Sequence, residues 1–236
     1  MYKKESIRKL HELLMTALAY WMTIAVELIP MCISSGNRKI GRVLNVSLPP
    51  VISCGNCKQC MHFCYDIKAC LRYTNTVISA RIRNWVILQK DRDEYFRRID
   101  EKLARRRSRK FFRWHVAGDI IDADYLDRMV QLARKYPDFR FCTYTKMYSL
   151  VNRYHDENGG RDAIPENLVI MFSDWDGVPM PNPYNHPVFA CRMKDGNKDH
   201  DPEYFEHLFK CPGNCDYCTE HCRGCVAGES AFTDQH

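Results

Sequence analysis

Nine of the thirteen cysteines fall in two short windows, and their spacing is the first chemistry the chain offers. The first window is Cys54-x2-Cys57-x2-Cys60-x3-Cys64. The second is Cys211-x3-Cys215-x2-Cys218-x3-Cys222-x2-Cys225. Thiolates are soft ligands for zinc or for iron–sulfur clusters. Disulfides prefer partners spread through a fold, whereas gaps of two and three residues suit a metal. The odd total also argues against a complete disulfide framework. Metal-binding thiols imply a reducing, cytoplasmic compartment. The first window has the spacing of a bacterial ferredoxin run, with Tyr65 where proline is usual. Four thiolates also close a tetrahedral zinc site, so a 4Fe–4S cluster and zinc both stay open. The second window has five thiols, one more than a four-ligand site needs. It suits a second, accessory iron–sulfur cluster or a structural zinc knot.

These ligands need a scaffold. At 236 residues, 45% hydrophobic and 27% charged, the chain can bury a full core as one globular domain. Residues 5–29 read as one helix, an extension over 1–30 ahead of an α/β iron–sulfur domain over 31–236. Its apolar stretch, 13–26, is too short to span a bilayer, so no membrane span is expected. That helix packs on the domain or on a partner, and it offers a seam for a homodimer. Alternation over 42–48 predicts a strand, ended by Pro49-Pro50, and the first cysteine window follows at once. Residues 66–107 read as largely helical. Strands are then expected over 111–121, 139–145, 168–173 and 188–192, with helices over 124–136 and 148–154. This rhythm predicts a mostly parallel sheet, either open or curled into a partial (β/α) barrel, closed by the cysteine-rich C-terminal metal knot at 211–225. Ligands bind such sheets at the carboxyl ends of their strands, which is where the first window falls.

The net charge of +6 allows an anionic partner without requiring one. Basic residues crowd the region 81–113, densest in Lys102-Leu103-Ala104-Arg105-Arg106-Arg107-Ser108-Arg109-Lys110. The plain reading is a solvated helical face balanced by Asp91, Asp93, Glu94, Asp100 and Glu101. The sharper one is a phosphate-contacting surface for nucleic acid.

Several stretches resemble the phage gene-product-88 domain family. They are Gly36-Asn37-Arg38-Lys39-Ile40-Gly41, Ser47-Leu48-Pro49-Pro50, the loop ending Cys64-Tyr65, Arg113-Trp114-His115-Val116-Ala117-Gly118-Asp119, Tyr144-Thr145-Lys146 and the closing knot. The likeness runs over roughly residues 32–226, with gaps at 155–210.

A more remote resemblance is to radical SAM enzymes, in which a cysteine loop follows the first strand. It implies that Gly118 and Asp119 hold the amino group of S-adenosylmethionine. Ser173, Asp174 and Asp176, in Ser173-Asp174-Trp175-Asp176-Gly177, would meet its ribose. Lys146, at a strand end, would hold a carboxylate or phosphate. Phe63 stands where an aromatic residue precedes the family's last cysteine. The usual Cys-x3-Cys-x2-Cys spacing is not kept, and the phage family aligns Cys54, Cys60 and Cys64, leaving Cys57 extra. Three ligands leave an iron open for S-adenosylmethionine, and a fourth closes it. The resemblance therefore implies a radical-SAM-like enzyme. The rivals are a zinc-bearing nucleic-acid-binding protein of phage or mobile-element type, and a closed-cluster redox protein. Cys32, Cys70, Cys142 and Cys191 stand alone and are expected to be inert buried thiols.

Overall fold

A computed structural model describes residues 4–37, 40–55 and 60–235. The chain opens with helix α1 (Lys4–Met22), whose Leu10 and Leu14 pack into the main core against the helices that follow. The helix expected over 5–29 ends early. The Lys90 ammonium takes the carbonyls of Met22 and Ile24, at 3.0 and 2.8 Å, and so satisfies a C-terminus that would otherwise lack partners. No helix of the described residues is long and apolar enough to cross a membrane.

Strand β1 (Ile33–Ser34) pairs antiparallel with β2 (Leu44–Val46). The cysteine loop follows, and then α2 (Tyr65–Arg72), a π-helical turn over Thr74–Ile78, α3 (Ser79–Lys90) and α4 (Arg92–Ala104). Asp91 breaks α3 from α4 and caps α4 through the Glu94 amide at 2.8 Å. Next come β3 (Phe111–Trp114), α5 (Ala123–Lys135), β4 (Arg140–Thr145), α6 (Tyr148–Glu157), β5 (Leu168–Asp174) and β6 (Val188–Arg192). The strand expected over 111–121 stops at Trp114 because His115 turns left-handed, at φ +51°. Asp122 caps α5, accepting from the Tyr125 amide at 2.8 Å. The chain closes with α7 (Pro202–Glu206), β7 (Phe209–Lys210), α8 (Cys215–His221) and β8 (Ala231–Asp234).

The eight strands form one open sheet in the order β1-β2-β3-β4-β5-β6-β8-β7, parallel throughout except at β1. Strands β2 to β6 therefore lie side by side in chain order. Strand alternation splits their residues between two faces. Phe112, Trp114, Phe141, Leu168, Ile170 and Phe172 join the core beneath α1 to α6. Phe111, Cys142, Val169 and Met171 face the other way, and there Cys215, Cys218, Cys225 and Val226 cover them. Helices take one face of the sheet and the C-terminal cysteine segment the other.

Candidate functional site: two thiol groups on one sheet

The first cysteine loop is held by its frame. Asn84, buried on α3, donates to the carbonyls of Ser47 and Cys32 at 3.0 and 2.9 Å, and accepts from the Cys32 amide at 2.8 Å. Asp66, just beyond Cys64, takes Arg81 through two bonds of 2.7 and 3.3 Å. Ser53 Oγ donates to the Pro49 carbonyl at 2.6 Å. Gly118 is required here. Its φ is +92°, and an added Cβ would lie 2.7 Å from Leu48 Cβ and 2.8 Å from Ser53 Oγ. Val51, three residues before Cys54, sits at φ +72°, a conformation that β-branched residues avoid. Backbone strain of this kind concentrates at functional sites.

The loop arches over the carboxyl ends of the strands. A Cβ on Gly55 would meet Met147 Sδ, just past β4, at 2.8 Å. Phe63 packs on Trp175, just past β5, with ring centres 6.2 Å apart. Cys54, Cys60 and Cys64 are half-buried, and Cys57 lies outside the described residues. Burial pushes the Cys64 thiol up to about 11, with a smaller contribution from the charge of Cys60.

The polar residues expected at this edge are there. Asp119 Oδ1 accepts from Thr145 Oγ1 at 2.6 Å and from the Ile120 amide at 2.7 Å, while Oδ2 accepts from the Lys146 amide at 3.1 Å. Asp119 thus braces the ends of β3 and β4, and burial raises its pKa against these bonds. Lys146 Nζ donates to Ser173 Oγ at 3.0 Å and lies 5.5 Å from the centre of the Trp175 ring. Tyr148 donates to the Ser173 carbonyl. Asp174 Oδ2 accepts from His200 Nε2 at 2.6 Å and from Tyr204 at 3.0 Å. Asp176 takes the amides of Lys198 and Asp199 at 2.6 and 3.1 Å, organising its own loop. His200 and Tyr204 carried no motif in the sequence. Their link to Asp174 exists only once α7 docks beside β5.

The second group is inserted between β7 and β8 and folds back onto the helix-free face. Asp216 anchors it, accepting from the Arg42 amide at 3.0 Å and from Arg109 Nη1 at 3.0 Å. A Cβ on Gly41 (φ +70°) would lie 2.2 Å from that carboxyl carbon, so only glycine permits the contact. Glu229 receives both arms of Arg223, at 2.9 and 2.8 Å, and the Gly224 amide at 3.0 Å. Cys215, Cys218 and Cys225 are buried, Cys211 is half-buried, and Cys222 is exposed. Cys218 rises to about 12 through burial and through the neighbouring charges of Cys225, Cys211 and Cys215. Cys225 is instead lowered to about 6, chiefly by a hydrogen bond from Cys142, then by one from Tyr144 and by the charge of Arg113. Cys142 is therefore not the isolated thiol expected: parity along β4 places it on the face that the knot covers. Arg113 reaches the same place from β3, with Nη1 3.6 Å from Cys215 Sγ and its guanidinium 4.6 Å from the centre of the Tyr144 ring. Its sequence signal was a lone charge in the apolar strand Phe111-Phe112-Arg113-Trp114.

None of the twelve described cysteines is in a disulfide. Among the described residues, no three His, Cys, Asp or Glu side chains are drawn into a ready-made coordination sphere. The basic region is mostly paired within the chain. Arg81 meets Asp66, Arg92 meets Asp122 and Asp124, Arg97 and Arg98 meet Glu94, Arg105 meets Glu101, Arg109 meets Asp216, and Lys110 meets Asp138. The apolar side of α1 is spent on α3, with Met15, Tyr20 and Met22 left exposed.

The fold and its thiols define a class: an α/β protein with parallel strands in chain order and cysteine groups at the strand ends and on the helix-free face. The chain belongs to the Gene product 88 family, which matches residues 31–178. That span takes in β1 to β5 and the first cysteine loop, and it bears out the phage-family resemblance up to Val178. The closing knot lies beyond it. No curated protein and no solved structure matches the chain.

Proposed function

We propose that this chain is an iron–sulfur protein built on the plan of radical SAM enzymes, with a 4Fe–4S cluster at the 54–64 loop and a second metal–thiolate centre at the C-terminal knot. One observation carries the reading. Parallel strands in chain order bring the Cys54–Cys64 loop, Gly118, Asp119, Lys146, Ser173 and Asp174 to a single sheet edge. The donor set fits the group: Cys54, Cys60 and Cys64 are half-buried thiols on a strained loop clamped at both ends. A cluster with an open iron, when bound, supplies a site that holds and reduces S-adenosylmethionine.

The chain's own residues bind and orient that co-substrate. Asp119 Oδ2 accepts one described hydrogen bond, which leaves a lone pair for an ammonium donor. Ser173 Oγ and Asp174 Oδ1 offer acceptors to ribose hydroxyls, and the Lys146 ammonium offers its charge to a carboxylate. Phe63 and Trp175 screen the loop from water. Asp176 plays no part, because its acceptors serve the 198–199 backbone.

The test is anaerobic purification followed by iron, sulfide and zinc analysis, with S-adenosylmethionine binding measured by equilibrium dialysis. The expected result is brown, sulfide-containing protein that binds the co-substrate, and a Cys57→Ala variant that keeps its first cluster. Colourless protein with stoichiometric zinc and no sulfide overturns the iron assignment. Loss of the first cluster in Cys57→Ala would mean four ligands, a closed centre and a redox role without the co-substrate.

A further inference from the structure

We propose that Arg113 is the built-in counter-cation of the C-terminal centre, and that it marks Cys211, Cys215, Cys218 and Cys225 as the ligand set, with Cys222 excluded. This rests on reading the knot as a metal–thiolate centre and says how that centre is held.

The argument is one of charge balance. The guanidinium of Arg113 is enclosed between the Tyr144 ring and Cys215, 4.6 and 3.6 Å away. The charges it senses come from Tyr144, Cys215, Tyr65 and Cys142, and no carboxylate is among them. Arg81 and Arg98, enclosed to a similar degree, each hold a carboxylate, Asp66 and Glu94. A buried cation without a counter-charge is costly, so proteins pair it. Here the ionisable groups within reach are thiols and phenols. Phenols are poor anions at neutral pH, which leaves the thiols. Four thiolates around a divalent ion outweigh its charge, and a cubane cluster ligated by four thiolates is likewise an anion. Arg113 supplies the compensating charge from inside the sheet. Its Nε is buried without a partner among the described residues, and that N–H remains for the sulfur shell.

Geometry also sorts the five thiols. Cys215, Cys218 and Cys225 are turned inward, and Cys211 neighbours Cys218 closely enough to raise its pKa. Cys222 ends α8 in a left-handed conformation, at φ +48°, facing solvent. Cys142 stays outside the set as a thiol that donates to Cys225.

The experiment uses the full chain in a Cys60→Ser background, so that the knot's metal is read alone. Arg113→Met, Arg113→Lys, Cys218→Ser and Cys222→Ser are compared for metal per chain, for the rate of metal loss to a chelator and, if iron is present, for midpoint potential. Arg113→Met should lose metal at least tenfold faster and shift the potential to more negative values. Arg113→Lys should fall between it and the parent, and Cys222→Ser should match the parent. Parent-like behaviour of Arg113→Met, with metal abolished in Cys218→Ser, overturns the role of Arg113 while leaving the centre intact. Unchanged metal in Cys218→Ser would instead sink the centre itself. Should Arg113→Met not fold, Arg113→Gln decides between the same outcomes.

Discussion

The two cysteine regions are built by opposite means. The 54–64 loop is gripped from outside, by Asn84, by the Asp66–Arg81 pair and by the close approach of Gly118, while its thiols stay half-buried above the strand ends. The knot is gripped from within: its thiols are the filling between α8 and the sheet, with an arginine among them. A site built to meet an outside molecule keeps its ligands accessible and puts its order into the frame. A site built to stay shut makes its ligands part of the core. The two are not independent, because Tyr65, directly after Cys64, feels the charge of Arg113.

The sharpest way to break this contrast is to remove one thiol from each region. Cys218→Ser should cost its metal and destabilise the helix-free face, because binding energy at a structural site is folding energy. A fall in Tm of about 10 °C or more is expected for a chain of this size. Cys60→Ser should lose the first cluster and shift Tm by no more than about 3 °C. Calorimetry on anaerobically prepared variants decides it, and equal losses from the two variants would show that both centres are structural.

A second test separates loss of the fold from loss of metal. On the helix-packed side, His115 is buried with Thr143 at 3.2 Å and Tyr125 at 3.0 Å, and burial alone pulls its pKa down to about 3. His186, stacked on Phe172, is drawn down to about 4, again mainly by burial. The unfolded chain protonates both near the ordinary value of about 6.5. Between those limits the unfolded state therefore binds more protons than the folded one. Stability is fully present above about pH 6.5 and is lost as pH falls towards 4, by at most about 1.4 kcal/mol per pH unit for each histidine. Urea midpoints at pH 7, 6 and 5 should trace this slope. His115→Asn, a residue tolerant of positive φ, should flatten it at some cost at neutral pH. An unchanged slope would place the acid sensitivity elsewhere, with the metal centres the first suspects.

How much of this was legible in the sequence depends on range. The apolar runs of β4, β5 and β6 were readable because strands buried on both faces leave little ambiguity, and both cysteine windows were readable from spacing alone. Strands β1 and β7, two residues each, carry too little pattern to detect, and β8 follows a knot whose landing place only tertiary structure sets. The end of α1 was hidden because Lys90, which caps it, lies far along the chain. At the site, Asp119, Lys146 and Ser173 were found through motif likeness, whereas Arg113 and Cys142 were not. Their meaning is relational: each is ordinary in its own strand and acquires a role only when residues 215–225 return across the sheet.

The smallest expected effect sharpens the contrast within the knot itself. Cys222 occupies the position after α8 at which the chain turns left-handed, its amide and that of Arg223 both returning to the Cys218 carbonyl. Glycine is the residue preferred there, because a Cβ is strained at positive φ and the helix can close its last carbonyls only in that conformation. Cys222→Gly should therefore raise stability by up to about 1 kcal/mol and leave metal content unchanged. In Cys225→Gly, the same chemical change three residues on, metal should be lost and the protein destabilised. Denaturant midpoints and metal analysis of the two variants, side by side, distinguish a thiol that merely ends a helix from one that holds the centre, and metal loss in Cys222→Gly would return the fifth sulfur to the ligand set.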